Sequence, residues 1–303
     1  MPFTLSHPAA VLPLLRPPFR PAALVCGSLA PDVPYFLVGA DIPVSAQSWY
    51  EPFLNATYSH TPLGGLLVAL PFALVLLTLY GVMRRPVADL LPRRLAAAGT
   101  AARTSSCPRR AGWVLLSALI GVATHLAWDS FTHFDGYVVT HVSVLRSQVA
   151  GDLTVARVIQ HLSTVGGLAA VAVHLWRRPR RPRPADRSPG LPAAMRRSAL
   201  AAPAAAALVG AAVNLQTMET YRGGPGTTTP ASAREVVEGI FADSAIGGGA
   251  ALACALALYA AVWWAVKCVT APGTDRGPRA RNDPPPPTDP RERAAEHAKG
   301  RLR

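Results

Sequence analysis

Five stretches of this chain, 66–83, 112–131, 155–176, 198–215 and 245–269, are apolar over 18 to 25 residues each. A helix crossing a hydrocarbon layer of about 30 Å needs about 20 such residues. Backbone polar groups in lipid must be satisfied within the segment, so runs of this length read as membrane-spanning helices. Arginine fills the segments between them. Residues 84–110 carry Arg84, Arg85, Arg93, Arg94, Arg103, Arg109 and Arg110 against the single acid Asp89, and 177–197 is again arginine-rich. A formal charge of +13 therefore coexists with 50% hydrophobic residues. Basic chains often bind nucleic acid, but these arginines flank apolar runs and lack interleaved aromatic residues for stacking on bases. Membrane orientation explains them better, with the basic segments on the cytoplasmic side. Cys26, Cys107, Cys254 and Cys268 form no C-x-x-C pair, which argues for packing residues and against a disulfide framework.

These features predict an all-α, polytopic membrane bundle of about five transmembrane helices. Residues 1–176 form a metal-site membrane domain, 177–197 a basic cytoplasmic loop and 198–269 the C-terminal transmembrane helices. Residues 270–303 are proline-rich and charged without apolar periodicity, and predict a disordered tail. The opening 18 residues lack the basic start and cleavage site of a secretory signal. The stretch 19–40 is apolar but interrupted by Pro31 and Pro34, which flank Asp32. Two arrangements fit it. Residues 21–40 span the membrane, or the first 60 or so residues form short re-entrant or interfacial helices lining a polar cavity. The second is favoured, because the first strands His7 on the cytoplasmic side.

Polar residues inside the apolar runs are the functional signal. His125, Asp129 and His133 recur at every fourth position in G-V-A-T-H-L-A-W-D-S-F-T-H-F-D-G-Y. On a helix such residues form one stripe, about 6 Å between neighbours along the axis and about 12 Å between the outer two. One ion can take adjacent members but not both ends, so two ions with Asp129 between them fit the stripe better than one. A single such residue would more simply be a packing or helix-end residue; three in register at membrane depth are costly and mark a site. The arginine-derived topology puts His60, the stripe and His161 at the outer side, and leaves His174 at the opposite end. Asp32 reads equally as a ligand or as a polar interfacial turn. His7, on its own, is a residue near a helix start. Asp135, followed by Gly136, reads more simply as a turn after the helix than as a base.

The segments M-P-F-T-L-S-H-P-A-A-V-L-P, G-S-L-A-P-D-V-P-Y-F, S-H-T-P-L-G and H-L-A-W-D-S-F-T-H resemble a bacterial membrane family known as domain of unknown function 4184. The resemblance covers roughly the first half of the chain. The same order of motifs is similar to membrane-bound metal-dependent hydrolases and, more distantly, to the zinc-dependent phospholipases C and single-strand nucleases. It implies Asp32, His60, His125 and Asp129 as ligands of one metal, His7 with Asp129 and the amino terminus at a second, and His133 at the start of a third. The chain departs from the enzyme pattern in two places. His133 follows Asp129 one step early, and the final His-x-x-x-Glu/Asp is missing, since His141 is followed by Leu145 and His161 by Val165. The implied cofactor is a divalent metal, zinc, and the implied location the bacterial cytoplasmic membrane.

The expectation is a membrane-embedded metal-dependent hydrolase acting on a phosphate ester or lipid head group at the outer face, with membrane lipid and no nucleic acid as partner. Thr61, Thr124, Ser130 and Thr132 are expected to hydrogen-bond the ligands. The alternative is a non-catalytic metal-binding or structural membrane protein. A transporter ranks third, because no internal repeat is visible and the second half of the chain is nearly free of intramembrane charge.

Overall fold

The computed structural model describes residues 3–38, 48–90, 107–151, 153–177, 193–215 and 233–270. The expected tail and most of both basic segments lie outside these residues. One compact unit covers Met1–Trp264; the other, Ala265–Arg303, is described only over the last turns of its leading helix, Ala265–Thr270.

The fold is that of an all-α helical membrane protein. Its opening third is a string of short helices: a 3-10 turn at Thr4–Ser6, α1 at Pro8–Val11, a second 3-10 turn at Leu12–Leu14, α2 at Pro21–Leu29, a third at Ala30–Asp32 and α3 at Val33–Val38. Prolines open or interrupt nearly every one of them, as expected of a residue that fixes φ and lacks an N–H. The longest, α2, has 9 residues and a length of about 14 Å, too short to cross a bilayer. The stretch 21–38 is thus a run of two short helices joined by a 3-10 turn, and it is not among the helices long and apolar enough to cross a membrane. Next come α4 at Glu51–Leu54, α5 at Ala56–Ser59 and α6 at Pro62–Gly64, which continues through the π-helical turn Gly65–Ala69 into α7 at Leu70–Leu90. Then follow α8 at Cys107–Thr132, α9 at Tyr137–His141 and α10 at Ser143–Arg146. The antiparallel hairpin of β1 (Gln148–Ala150) and β2 (Leu153–Thr154) leads into α11 at Val155–Arg177. Gly151 turns the hairpin at φ 54°, in the left-handed region. The chain closes with α12 at Ala193–Asn214 and α13 at Ala233–Thr270.

Four helices are long and apolar enough to cross a membrane: Pro62–Leu90, Pro108–His141, Val155–Arg177 and Val236–Thr270. The fifth expected span, at 198–215, is not among them. Its helix, Ala193–Asn214, carries Arg196 and Arg197 near its start and contains Pro203, which leaves fewer apolar residues than the roughly 20 that a crossing needs. The last helix starts at Ala233, well before the predicted 245, because the stretch carrying Glu238 and Asp243 is helical too. The segment between α8 and α11 holds α9, α10 and the hairpin.

The short N-terminal helices pack into the side of the spanning ones. Ala23, Ala30, Ala69, Ala73, Ala118 and Val122 form the buried core where α2, α7 and α8 meet. Small residues let the backbones touch, as is usual where helices associate in lipid. A Cβ on Gly121 of α8 would run into the carbonyl of Leu24 and the amide of Ser28, and one on Gly27 of α2 into the carbonyl of Ala118. At the other edge, a Cβ on Gly167 of α11 would meet Ser6 at 2.9 Å. Thus α2 and the Ser6–His7 corner lie directly against the spanning bundle.

Candidate metal centre

Three local structures deliver the polar residues to one end of the bundle. Asp32 closes the 3-10 turn Ala30–Asp32, and the buried hydroxyl of Ser59 donates to the Pro31 carbonyl at 2.7 Å, which fixes that turn against α5. His60 is the C-cap of α5, whose start is capped by Asn55 accepting from the Tyr58 amide at 3.0 Å. Thr61 then caps the next helix by accepting from the Gly64 amide at 2.9 Å. Gly65 follows, and a Cβ there would meet Leu126 of α8 at 2.9 Å, so α6 enters hard against α8 just beyond His60. His125 and Asp129 lie one turn apart on α8, and His133 follows just past its end.

Asp32, His60, His125 and Asp129 converge so that one donor atom from each lies within 4.8 Å of the others. The His60 and His125 Nε2 atoms are 3.2 Å apart. His60 Nε2 is 3.3 Å from Asp32 Oδ1 and 3.3 Å from Asp129 Oδ2; His125 Nε2 is 3.4 Å and 3.2 Å from the same two oxygens. Arms of about 2.0–2.1 Å meeting at tetrahedral angles place donors about 3.3–3.4 Å apart, close to the spacing between the two histidines and between each histidine and each carboxylate. Asp32 and His125 have fully buried side chains, and that of Asp129 is 7% exposed.

The hydrogen bonds around the rings make the cluster repulsive unless a cation enters it. His125 Nδ1 donates to the Ser28 carbonyl at 2.8 Å, and His60 Nδ1 to the Ala56 carbonyl at 2.7 Å. A carbonyl only accepts, so both protons of the neutral rings are committed and each Nε2 presents a lone pair to its neighbour and to two carboxylates. No oxygen of Asp32 or Asp129 has a hydrogen-bond partner, although all four are buried. Such groups are rare without an ion or a proton between them. Histidine ligands characteristically give their other nitrogen to a carbonyl in this way. Without a metal, a proton must serve instead. Burial disfavours a charge on His60, but Asp129 and Asp32 outweigh it and push its pKa up to about 9. Burial likewise works against ionisation of Asp32, yet the two imidazoles beside it hold its carboxyl well below the usual range. The group therefore fits a bound divalent ion, which would replace those protons.

His7 and His133 flank the same carboxylate. His7 Nε2 is 3.6 Å from Asp129 Oδ1, its ring stacks on His125 at 3.8 Å, and neither of its nitrogens has a hydrogen-bond partner. Burial and the neighbouring His125 lower its pKa to about 4, which keeps it a neutral ring. His133 Nε2 is 3.6 Å from Asp129 Oδ2 and is also buried without a hydrogen bond. All six residues singled out in the sequence thus meet around Asp129. The amino terminus lies outside the described residues.

A match of the domain-of-unknown-function model DUF4184 extends over residues 1–261. The chain belongs to the DUF4184 family. The match runs through the later spanning helices and well beyond the first half, where the motifs lie. No curated protein and no solved structure matched this DUF4184 chain.

Several expectations are corrected. Thr61, Thr124, Ser130 and Thr132 do not bond the ligands. Each hydroxyl donates to a carbonyl three or four residues earlier, at 2.8, 2.8, 2.7 and 3.2 Å. The carbonyls of Ser28 and Ala56 do that work, and no side-chain pattern reports a carbonyl. Ser59 was also missed; its place beside His60 in the S-H-T-P stretch was the available clue. His161 turns away, with Nε2 3.4 Å from Glu238 Oε1. Asp135 is 64% exposed and 3.8 Å from His133, in keeping with a turn. Among the described residues of this DUF4184 member, Cys26, Cys254 and Cys268 are free.

Proposed function

We propose that the protein holds zinc at Asp32, His60, His125 and Asp129, and is a metal-dependent hydrolase acting on a phosphate ester or lipid head group at the outer face of the bacterial cytoplasmic membrane. The observation that carries the metal is the pair of Nε2 lone pairs facing two buried carboxylates at tetrahedral spacing. Two imidazoles and two carboxylates suit zinc better than calcium or magnesium, which prefer all-oxygen shells. A divalent ion so held supplies Lewis acidity and acidifies water. Around it, Asp129 aims Oδ2 at the four-donor group and Oδ1 at His7. A carboxylate shared in this way could join two ions, with His7 supplying a nitrogen on the Oδ1 side; His133 lies on the Oδ2 side, where the resemblance puts the start of a third. Both histidines are also placed to hold or pass a proton beside the reacting group. Ser28 and Ala56 keep the two liganding rings fixed.

A second reading has its own observation. Four protein donors already complete a tetrahedron, and a catalytic zinc keeps one position open. If only that ion binds, the site is structural, and the protein is a non-catalytic metal-binding membrane protein. The ion count separates the two. Full-length protein extracted in mild detergent without chelator should carry two zinc ions per chain by elemental analysis and cleave a phosphodiester. A single ion and no cleavage would favour the structural reading. Asp129→Ala should lose more metal than any single histidine-to-alanine change and still insert, and Asp129→Asn should be nearly as poor. No bound transition metal in the unaltered protein, even after zinc is supplied, would sink both readings.

A further inference from the structure

We propose that the phenol of Tyr35 is a binding group of the centre, donating a hydrogen bond to an oxygen of a phosphate bound beside the ion. The inference rests on the metal-centre reading and adds a residue that touches the substrate.

Tyr35 belongs to the stretch G-S-L-A-P-D-V-P-Y-F and follows Asp32 by three residues. The backbone that carries it is held on two sides. Before it, the Ser59 hydroxyl donates to the Pro31 carbonyl at 2.7 Å. After it, the Phe36 ring lies against Gly249 of α13, where a Cβ would meet it at 3.1 Å. Pro34, between them, is fully buried. Position 35 is thus fixed by packing that does not involve its own side chain.

The side chain lies at the centre. Its ring is 6.0 Å from that of His60, tilted by 58°. Burial, and then the carboxylates of Asp32, Asp129 and Asp135, push its pKa up to about 12. These carboxylates come from its own segment, from α8 and from the turn beyond α8. Coulombic effects weaken with distance, so the hydroxyl is within electrostatic range of all three. A phenol at its ordinary value of about 10 is protonated at neutral pH in any case. Its role as a donor therefore does not depend on that shift.

This donor is uncommitted where its neighbours are not. No oxygen of Asp32 or Asp129 has a hydrogen-bond partner, so the phenol gives its proton to neither. His60 and His125 commit Nδ1 to carbonyls. The hydroxyls of Ser59, Thr61, Thr124, Ser130 and Thr132 each donate to a carbonyl as well. A divalent ion between two carboxylates keeps no net positive charge to hold a phosphate. The anion then depends on donors from the protein, and a hydrogen bond to a charged oxygen is about twice as strong as a neutral one. A ring that only packed on His60 would do as well without its hydroxyl, which decides the test.

Full-length protein in mild detergent is loaded with cobalt, whose visible spectrum reports on the ligands of the ion, and is titrated with inorganic phosphate. Tyr35→Phe keeps the ring and removes the hydroxyl. We expect this variant to take up cobalt with unchanged stoichiometry and affinity, and to bind phosphate at least about tenfold more weakly, the effect of losing one hydrogen bond to a charged group. Tyr80→Phe, at an exposed position of α7, should change neither. Equal phosphate affinity in Tyr35→Phe and the unaltered protein would overturn the inference. So would a cobalt-loaded unaltered protein that does not respond to phosphate, and both results leave the metal reading standing. Loss of cobalt from Tyr35→Phe would make the hydroxyl a support of the ligands and overturn its role toward phosphate. Failure of the unaltered protein to take up cobalt would remove the metal reading and this inference with it.

Discussion

His60 shows how protons and metal compete for the same place. In the metal-free protein its charge persists up to a pH of about 9, because Asp129 and Asp32 outweigh the cost of burial. That stabilisation is fully present below the unfolded histidine value of about 6.5 and is lost as pH rises through about 9. A metal reverses the sign: each proton it displaces makes binding weaker in acid. Apparent zinc affinity should therefore rise between pH 6 and 9, by up to about tenfold per unit for this proton alone, and level off above. Competition titrations with a chromophoric chelator at pH 6, 7, 8 and 9 check this, and a flat profile would show that His60 is not a ligand. The stripe of His125, Asp129 and His133 was legible in the sequence because four-residue spacing is a property of the helix itself. Asp32 and His60 were legible only as oddities, a carboxylate between prolines and a histidine at a helix mouth, since tertiary packing brings them to the stripe. The hydroxyls were misread because serine and threonine in apolar helices satisfy themselves on the preceding turn.

Among the elements, the contact of α2 with α8 sets the quality of the centre. Ser28, whose carbonyl holds His125, follows Gly27, and Asp32 lies one turn further on. Gly121, one turn before His125, leaves no room for a methyl group against Leu24 and Ser28. Gly121→Ala should push α2 away and shift both groups. Overpacking of this kind costs about 1–3 kcal/mol of stability, and disturbing the group that orients a ligand costs about 10–100-fold in metal affinity. Gly166→Ala on α11, where a Cβ meets nothing within 4 Å, is the control and should be near neutral. Thermal unfolding with and without zinc measures both effects; equal behaviour of the two variants would refute the role given to the α2–α8 contact. None of this contact was readable beforehand. Gly27 and Gly121 look like ordinary small residues in apolar runs, and their partners are backbone atoms. The alanine-rich stretch at 198–215 falls outside the four apolar helices because alanine is apolar in composition yet adds little hydropathy over so short a run.

For the whole molecule, orientation remains a prediction from charge. The arginine-rich segments 84–110 and 177–197 should face the cytoplasm, which puts the centre at the outer face. Single cysteines introduced there should resist an impermeant thiol reagent in intact cells and react after lysis; labelling in intact cells would invert the topology. The bundle architecture was legible because apolar length and charge bias are carried by composition. The packing of the first residues was not, since it depends on partners far along the chain. That packing fixes an order of events. The Phe3 amide donates to Thr164 Oγ1 at 3.3 Å across 161 residues, and Ser6 lies against Gly167. At about 5–20 residues per second, a ribosome reaches residue 164 roughly 8–32 s after residue 3. Until then the Phe3 and Ser6 contacts to α11 cannot form, although His125 and Asp129, against which His7 packs, are already made. The first residues synthesised thus reach their last contacts only after the third span has been made.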